Sequence, residues 1–203
     1  MKVLVTCGPT WVAIDDVRVI SNQSTGAMGH AIAGEFRRAG AGVTLIEGPV
    51  TGGSLKARGI RVIKYQFFDE LARALKAECV KNYDVVVHAA AVSDFKPGKV
   101  FKTKIDSGRS LILKLMPAQK LIDCIKPLAP ESFLVGFKLE SGIHAKDAAR
   151  ITRALFTESG CDLVVANAVN KGYRGYAIDG DGHILAQSSS KKTMARHLVR
   201  ILR

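Results

Sequence analysis

A polar loop between the first apolar run and the first helix-like segment carries side chains suited to anion chemistry. Arg18 can hold a phosphate or a carboxylate through two parallel hydrogen bonds. Asn22, four residues later, offers an uncharged amide that can donate to an oxyanion without changing the local charge. The spacing leaves a second interpretation of Arg18 equally open, because Asp15 or Asp16 could engage it in a surface ion pair.

Glycines flank this loop, with Gly8 after the first apolar run and Gly26 and Gly29 at the start of the helix-like segment. In nucleotide-binding α/β sheets, phosphates bind beside a helix N-terminus at the carboxyl ends of strands. The spacing is neither G-x-G-x-x-G nor a P-loop, so a tight turn and a close helix–strand contact explain the glycines equally well. Ser24 or Thr25 is expected to cap the helix.

A second segment with chemical potential begins where the fourth apolar run ends. Ala90 and Ala91 are small enough for a ligand to approach the backbone, and Asp94 follows, where it could bind a ligand or a hydrated metal. A basic loop comes next, and its Lys104 could neutralise a triphosphate, although such runs are commonly only solvated. His88, at the end of the apolar run, is expected to be a core histidine rather than a base.

Apolar runs of strand length alternate with segments of helical period along the whole chain. The alternation predicts an α/β fold with a Rossmann-like, doubly wound and mostly parallel sheet. Residues 93–116 form a basic strand or loop excursion with a strand-like stretch at 111–115, and residues 173–187 form a C-terminal hairpin. Asp69 is expected to cap the second helix. The predicted strands are 2–6, 42–47, 60–65, 83–88, 132–138 and 161–166, and the predicted helices are 26–39, 68–81, 117–127, 144–159 and 191–203.

Composition and charge narrow the class of protein. The 203 residues, 47% hydrophobic and 24% charged, predict one globular domain over 1–203 rather than a disordered chain. No apolar run reaches the roughly 20 residues of a membrane span, and the start shows no signal peptide, so we expect a cytoplasmic protein. Four cysteines without a C-x-x-C pair argue against zinc or disulfides. A net charge of +12 attracts polyanions, but the few aromatic residues do not interleave with basic ones, so nucleic acid is not the expected partner.

Several motifs occur in an order that is more specific than any one of them. They are T-C-G-P-T-W-V-A-I-D-D-V-R-V-I-S-N-Q-S-T-G-A-M-G at 6–29, A-A-A-V-S-D-F-K-P at 89–97, K-I-D-S at 104–107, G-F-K-L-E-S at 136–141 and D-L-V-V-A-N at 162–167. The ordered set, which covers nearly the whole chain, closely resembles the phosphopantothenoylcysteine synthetase family. That domain is the second half of a bifunctional coenzyme A biosynthesis flavoprotein and a stand-alone enzyme elsewhere; the chain resembles the single-function form.

The resemblance implies a ligase that joins L-cysteine to 4′-phosphopantothenate in two steps. A carboxylate first attacks the α-phosphate of CTP, or of ATP in other members, and pyrophosphate leaves. The cysteine amine then attacks the acyl-nucleotide. Mg²⁺ would bridge the phosphates, with no metal ligand assigned to the protein and no flavin expected. Members are homodimers whose basic strand region extends toward the neighbouring subunit.

The resemblance also implies roles for individual residues. Asn22 and Arg18 match residues that handle the acyl-nucleotide, and Lys104 matches a lysine that would stabilise charge on the departing pyrophosphate. The nucleotide site would comprise Gly8, Gly26, Gly29, Ala90, Ala91, Asp94, Gln119, Lys120, Leu121, Ile122 and Phe137, with Phe137 near the base.

The chain departs from the family pattern at several positions, among them Cys7, where a small residue is frequent, and Val12, where an acidic one is. Asp106 stands where a second lysine pair is frequent, and Gln119 replaces a turn proline. Leu155 and Ser159 occupy positions that commonly carry lysines in contact with the triphosphate. These departures concern the triphosphate contacts, so the choice between CTP and ATP stays open.

Two other functions are compatible with the sequence. A nicotinamide-dependent oxidoreductase could use Glu47, at the end of the second strand, to bind a ribose hydroxyl, although G-x-G-x-x-G and a Tyr-x-x-x-Lys pair are both missing. A nucleic-acid-binding module without catalytic activity is suggested by the positive charge and would bind in a salt-dependent way.

Overall fold

The computed structural model describes residues 1–55, 58–108, 110–170 and 172–203. The strands are β1 (Lys2–Cys7), β2 (Trp11–Ala13), β3 (Val19–Ser21), β4 (Gly42–Glu47), β5 (Ile60–Lys64), β6 (Val85–His88), β7 (Phe95–Pro97), β8 (Leu115–Pro117), β9 (Phe133–Glu140), β10 (Leu163–Ala168), β11 (Arg174–Asp179) and β12 (Ile184–Ser188). The helices are α1 (Ala27–Arg38), α2 (Phe68–Cys79), α3 (Ile125–Leu128), α4 (Ala145–Thr157) and α5 (Lys191–Ile201), with a 3₁₀ turn at Leu121–Cys124.

Eight strands form one sheet in the order β5-β4-β1-β6-β9-β10-β11-β12. The first six in this order are parallel, and β11 and β12 extend the sheet as an antiparallel hairpin. The chain leaves β1 toward β4 and β5, then returns to the other side of β1 through β6. The carboxyl ends of β1 and β6 therefore flank the point where strand order reverses, which is where ligands bind in open α/β sheets.

Both faces of the sheet are covered by helices, which explains why the strands are continuous apolar runs. On β1, Val3 and Val5 belong to a core cluster that includes Phe36 of α1 and Leu198 of α5. Leu4, between them, points into the opposite cluster, which contains residues of α2 and α3. The doubly wound, mostly parallel sheet is thus confirmed.

The predicted strands of the large sheet agree with the observed ones within about two residues at each end, and the C-terminal hairpin is confirmed. The predicted helix 117–127 is wrong at its start. Pro117 ends β8, and the chain becomes helical only at Leu121, first as the 3₁₀ turn and then as α3. The stretch 111–115 is wrong as a strand, because only Leu115 lies in one and Ile112 is 94% exposed.

Two expected helix caps are also wrong. The first residue before α1 is Gly26, and neither Ser24 nor Thr25 caps the helix from the N-cap position. Helix α2 begins after Phe67, so Asp69 lies inside its first turn, where a carboxylate still interacts favourably with the helix dipole. The capping contact comes from Glu70 in the same turn, whose carboxylate accepts the backbone N–H of Phe67 at 3.0 Å.

Two small antiparallel ribbons lie outside the large sheet. Strands β7 and β8 pair Lys96 with Met116 and form the base of the predicted basic excursion. Strands β2 and β3 pair Val12 with Ile20, inside the polar loop that carries Arg18 and Asn22. The sequence did not predict β2 and β3, because strands of three residues are too short to show a recognisable pattern. Among the described residues, no helix has the length and apolarity needed to cross a membrane.

Candidate functional site

The two segments singled out in the sequence lie side by side at the carboxyl ends of β1 and β6. The N–H of Ala91 donates to the carbonyl of Gly8 at 2.9 Å, and the N–H of Thr10 donates to the carbonyl of Ala91 at 3.2 Å. The hydroxyl of Thr10 in turn accepts the N–H of Ser93 at 2.9 Å. The chain after each strand is therefore held against the other at the point where strand order reverses.

Glycines allow helix α1 to start directly above this point. Gly26 has φ of +73°, and a side chain at Gly29 would place its Cβ 2.3 Å from the Cβ of Cys7. The close helix–strand contact proposed for these glycines is confirmed. Their part in phosphate binding remains a prediction, which the position of the α1 N-terminus favours.

Asn22 joins the polar loop to the small-residue end of β6. Its Nδ2 donates to the carbonyl of Ala91 at 3.2 Å and to that of Val92 at 3.0 Å. Both amide N–H groups, which we expected to donate to an oxyanion, are therefore engaged by the backbone. The side chain is exposed, and its Oδ1 accepts no hydrogen bond from the described part of the chain.

Arg18 forms the ion pair with Asp15 that the sequence left open as one of two interpretations. Its Nη1 lies 3.1 Å from Asp15 Oδ2, and Nη1 and Nη2 both donate to the carbonyl of Ile105 at 3.2 Å. Unlike a surface pair, this one involves a carboxylate with no exposed side-chain area. The N–H of Ile105 holds the pKa of Asp15 below its usual value, with help from the amides of Val17 and Arg18.

These contacts bring the segment that carries Lys104 to the polar loop. The N–H of Ile105 donates to Asp15 Oδ2 at 3.0 Å, and the N–H of Phe101 donates to the carbonyl of Ile14 at 2.9 Å. Lys104 itself is exposed and forms no ion pair with any residue that the structure describes. The structure thus brings together the backbone around Arg18, Asn22 and Lys104.

The predicted nucleotide turn follows the same edge of the site. The N–H of Ala118 donates to the carbonyl of Asp94 at 2.8 Å, which places residues 119–122 beside Asp94. Leu121 and Ile122 are buried in the core cluster, so only their backbone could contact a ligand.

The other members of the predicted nucleotide site differ in what they can offer. Gln119 and Lys120 are exposed; Gln119 donates to Cys124 Sγ at 3.2 Å. Lys120 lies 3.7 Å from Glu158. Phe137 is half-buried on β9 and packs against the cluster that includes α1 and α5.

The positions that commonly carry lysines at the end of α4 are turned into the protein. Leu155 packs against the core cluster on that face of the sheet. Ser159 is buried and donates to Asp123 Oδ1 at 2.7 Å. These two departures therefore replace possible triphosphate contacts by packing and an internal hydrogen bond.

Glu47 does not have the exposure that the oxidoreductase interpretation requires. Its carboxylate is fully buried and is held by Lys64, by Ser54 Oγ at 2.6 Å, by the N–H of Leu55 at 3.0 Å and by His30 Nε2 at 2.5 Å. Burial raises the pKa of this carboxyl, but the four hydrogen bonds outweigh it and lower the pKa to about 2. A ribose hydroxyl has no access to such a carboxylate, so the observation counts against a nicotinamide enzyme.

His88 is confirmed as a core histidine. It is 6% exposed, and its Nδ1 lies 3.0 Å from the hydroxyl of Thr6. Burial lowers the pKa of His88 to about 4, so the ring is neutral at physiological pH. Its burial against Thr6, and not its neutral state, is what argues against a part in proton transfer at the site.

Asp15 has a structural importance beyond the pairing with Arg18 that its sequence position suggests. Its Oδ1 also accepts the N–H groups of Val17 and Arg18. This is an Asx turn, in which the side chain of an aspartate accepts backbone N–H groups of the residues that follow it. The Asp15–Arg18 spacing was the available signal.

Two clefts lie along the carboxyl edge of the sheet on either side of the site. One of about 620 Å³ is lined by residues such as Gly48, Lys64 and Arg73. The other, of about 490 Å³, lies between Arg174 and the start of α5. Neither is lined by Arg18, Asn22 or Lys104. The side chain of Arg18 is 37% exposed, and those of Asn22 and Lys104 are exposed.

The chain is similar in sequence to a known protein family and to several of its members. The family model described as DNA/pantothenate metabolism flavoprotein C-terminal domain matches residues 1–202. The coenzyme A biosynthesis bifunctional protein CoaBC of Thermococcus kodakarensis is 44% identical over 169 residues, which cover 83% of this chain and 41% of that protein. CoaBC of Mycobacterium bovis is 36% identical over 215 residues, covering 98% and 51%.

The chain spans about half the length of these curated relatives. The chain is also similar to a solved structure, that of the DNA/pantothenate metabolism flavoprotein from Streptococcus pneumoniae. The two structures superpose with a TM-score of 0.87 at 26% sequence identity, and the superposition covers 100% of this chain and 98% of that one.

Proposed function

The chain belongs to the DNA/pantothenate metabolism flavoprotein C-terminal domain family, as its motifs indicated, and on that premise we propose that it is a phosphopantothenate–cysteine ligase. It would join L-cysteine to 4′-phosphopantothenate at the expense of a nucleoside triphosphate. The relatives are bifunctional proteins of coenzyme A biosynthesis, and this reaction would be the contribution of the half that the chain matches.

One observation carries the proposal beyond family membership. Asn22 donates to the carbonyls of Ala91 and Val92 at the point where strand order reverses. This contact joins the polar loop and the small-residue strand end in one site, as an enzyme that handles three substrates requires. Lys104 is tied to the same loop through its neighbour Ile105.

In the first step, a carboxylate oxygen of phosphopantothenate attacks the α-phosphorus of the triphosphate. A new P–O bond forms, the bond to the bridging oxygen breaks, and pyrophosphate leaves. The reacting groups are both anions, so cations must reduce their repulsion. Arg18 and Lys104 would supply this charge, Arg18 toward a carboxylate or phosphate and Lys104 toward the departing pyrophosphate.

Asp94 suits a hydrated Mg²⁺. Its side chain is exposed and accepts no hydrogen bond within the described residues, and hard oxygen ligands are what Mg²⁺ prefers. Held by Asp94, the ion would supply positive charge that offsets part of the charge on the phosphates.

In the second step, the cysteine nitrogen attacks the acyl carbon. The C–N bond forms, the C–O bond to phosphate breaks, the nitrogen loses a proton to water, and the nucleoside monophosphate leaves. With its N–H groups held by Ala91 and Val92, Asn22 can accept a hydrogen bond from the incoming amine through Oδ1. Donation to the acyl phosphate would instead require Asn22 to release one of the two carbonyls.

The nucleotide, the assembly and the cellular location are parts of the same proposal. CTP is the first choice and ATP the second, and the chain would act as a cytoplasmic homodimer, as its family resemblance implies. The burial of Glu47 disfavours the oxidoreductase alternative. A nucleic-acid-binding role would be recognised by binding that weakens steeply with salt.

The test is pyrophosphate release with phosphopantothenate, cysteine and each of the four nucleoside triphosphates in turn. We expect release that depends on phosphopantothenate and, when cysteine is added, an amide product visible by mass spectrometry. Pantothenate without its phosphate is the matched control substrate and should react poorly. An absence of pyrophosphate with all four triphosphates would rule the proposal out.

A further inference from the structure

Asp15 has an environment unusual for a residue on a surface loop. Its side chain has no exposed area, and its two oxygens accept four hydrogen bonds. Oδ1 accepts the N–H groups of Val17 and Arg18 at 2.9 and 2.7 Å. Oδ2 accepts Arg18 Nη1 at 3.1 Å and the N–H of Ile105 at 3.0 Å. The carboxylate therefore joins two segments that lie 90 residues apart.

The peptide group that Asp15 binds is the one that links Lys104 to Ile105. Its N–H reaches Asp15, while the carbonyl of Ile105 accepts both Nη1 and Nη2 of Arg18. The N–H of Phe101 adds a further contact, to the carbonyl of Ile14 at 2.9 Å. Lys104 is thus attached to a backbone that is held on both sides of Ile105.

The same contacts orient the guanidinium of Arg18. One N–H of Nη1 donates to Asp15. The other N–H of Nη1 and the adjacent N–H of Nη2 both donate to the carbonyl of Ile105. The Nε–H and the second Nη2–H remain, and they have no partner among residues 1–55, 58–108, 110–170 and 172–203. This edge is the one that binds a carboxylate or a phosphate through two parallel hydrogen bonds. The side chain is 37% exposed, so a ligand can reach it.

We propose that Asp15 is a positioning residue that holds Arg18 and the backbone of Lys104 as one unit, with the free edge of Arg18 directed to an anionic substrate. Asp15 itself contacts no substrate. The coupling of the two segments stands on its own, whereas its effect on turnover rests on the proposed function. The unit lies within one chain, whichever protomer's site it completes.

The test compares Asp15→Asn with Asp16→Asn. Asparagine has nearly the shape of aspartate, but its amide nitrogen cannot accept the N–H of Ile105 or of Arg18. Asp16 is exposed and forms no hydrogen bond or ion pair with the described residues, so its variant removes the same formal charge one position away. Each protein is examined by amide hydrogen exchange and by steady-state pyrophosphate release.

For Asp15→Asn we expect exchange in 101–106 to rise about tenfold or more, as the loss of hydrogen bonds to a charged group predicts. Exchange in the large sheet should stay as in the wild type, which shows that the variant is folded. The KM for the triphosphate or for phosphopantothenate should also rise about tenfold or more, because binding then includes ordering the segment. Asp16→Asn should match the wild type in both measurements.

A second variant, Ile105→Pro, removes the N–H that Asp15 accepts in a segment outside the large sheet. It should reproduce the increase in exchange and in KM. It also provides the test of the coupling if Asp15→Asn fails to fold. Unchanged exchange in 101–106 would overturn the coupling. Increased exchange with unchanged kinetics would overturn the positioning role. If the wild type shows no turnover with any triphosphate, the proposed function fails, and exchange still decides the coupling.

Discussion

Two buried carboxylates near the carboxyl edge of the sheet, Asp15 and Glu47, have similar partners and different consequences. Neither has exposed side-chain area, and each accepts four hydrogen bonds. Glu47 is held by side chains of α1 and β5 and by the chain after β4, which together fill the space around it. Asp15 is held by its own turn and by a distant segment.

The difference lies in where each network ends. The donors around Glu47 point inward to the carboxylate, so this network stabilises the end of the sheet. The network around Asp15 ends in Arg18, whose Nε–Nη2 edge meets no residue in the described part of the chain. Lys64 is itself 55% exposed, so the exposure of the cationic partner does not separate the two carboxylates. What separates them is that Asp15 joins two distant segments and that Arg18 keeps two parallel donors suited to a carboxylate or a phosphate.

The largest effect is expected from a change beside the Asp15 network. Asn22→Asp places a negative charge next to the carbonyls of Ala91 and Val92 and next to an anionic intermediate. Ligase turnover should fall by about 100-fold or more, because the new carboxylate repels the two carbonyls and the anionic intermediate instead of donating to the carbonyls. Gln23→Glu, which adds the same charge at an exposed neighbour, should keep near-normal turnover. Wild-type turnover in Asn22→Asp would remove Asn22 from the site.

The Glu47 network should respond in stability instead. Glu47→Gln removes the charge that balances Lys64 and one acceptor for buried donors, so the free energy of unfolding should fall by about 2–3 kcal/mol. Urea denaturation measures this, with Glu131→Gln as the control because Glu131 is exposed. Turnover per folded molecule should stay close to the wild type. A large loss of turnover with unchanged stability would reverse the roles given to the two carboxylates.

Helix α1, which connects the two regions, offers a matched pair of glycines. Gly29→Ala would put a Cβ 2.3 Å from the Cβ of Cys7 and should lower stability by about 1–3 kcal/mol. In Gly34→Ala the nearest atom is Arg38 Nη2 at 3.7 Å, so the stability should rise by about 0.5–1 kcal/mol. Thermal denaturation of both variants distinguishes the close contact from a general effect on the helix. Equal shifts in the same direction would contradict it.

The last prediction concerns the pH dependence of stability. The pKa of Glu47 is lowered to about 2 from 4.5, so its contribution to stability is fully present above pH 4.5 and is lost as the pH falls toward 2. Unfolding midpoints measured from pH 6 to pH 2 should decline in the wild type and decline less steeply in Glu47→Gln. Parallel curves for the two proteins would show that the pKa of Glu47 is the same in the folded and the unfolded state, which would contradict the prediction.

The sheet and most helices were predictable because their signals are local. Continuous Val, Ile and Leu runs such as 42–47 indicate strands covered on both faces, and β4 spans those residues. The region 111–122 was not predictable in the same way. Its apolar residues Leu111 and Ile112 are exposed, and β8 is defined by pairing with β7 rather than by its own pattern.

The residue types of the candidate site were proposed from the sequence, whereas their hydrogen bonds could not be. Arg18, Asn22 and Lys104 could be selected because their chemistry suits anions and their positions match family motifs. The engagement of both Asn22 N–H groups by Ala91 and Val92 could not, since the acceptors are about 70 residues away in the chain. The burial of Glu47, which the sequence offered as a ribose ligand, could not be predicted either, because its donors come from α1, from β5 and from the chain after β4 and meet only in the folded protein.

From the sequence alone, the order of strands and helices, the class of sheet and the family follow, because periodicity and motif order are properties of short stretches of chain. The tertiary structure decided which polar groups are already bound within the protein and which remain for a ligand. That distinction depends on hydrogen bonds such as the one from Ile105 to Asp15, whose partners meet only when the chain is folded.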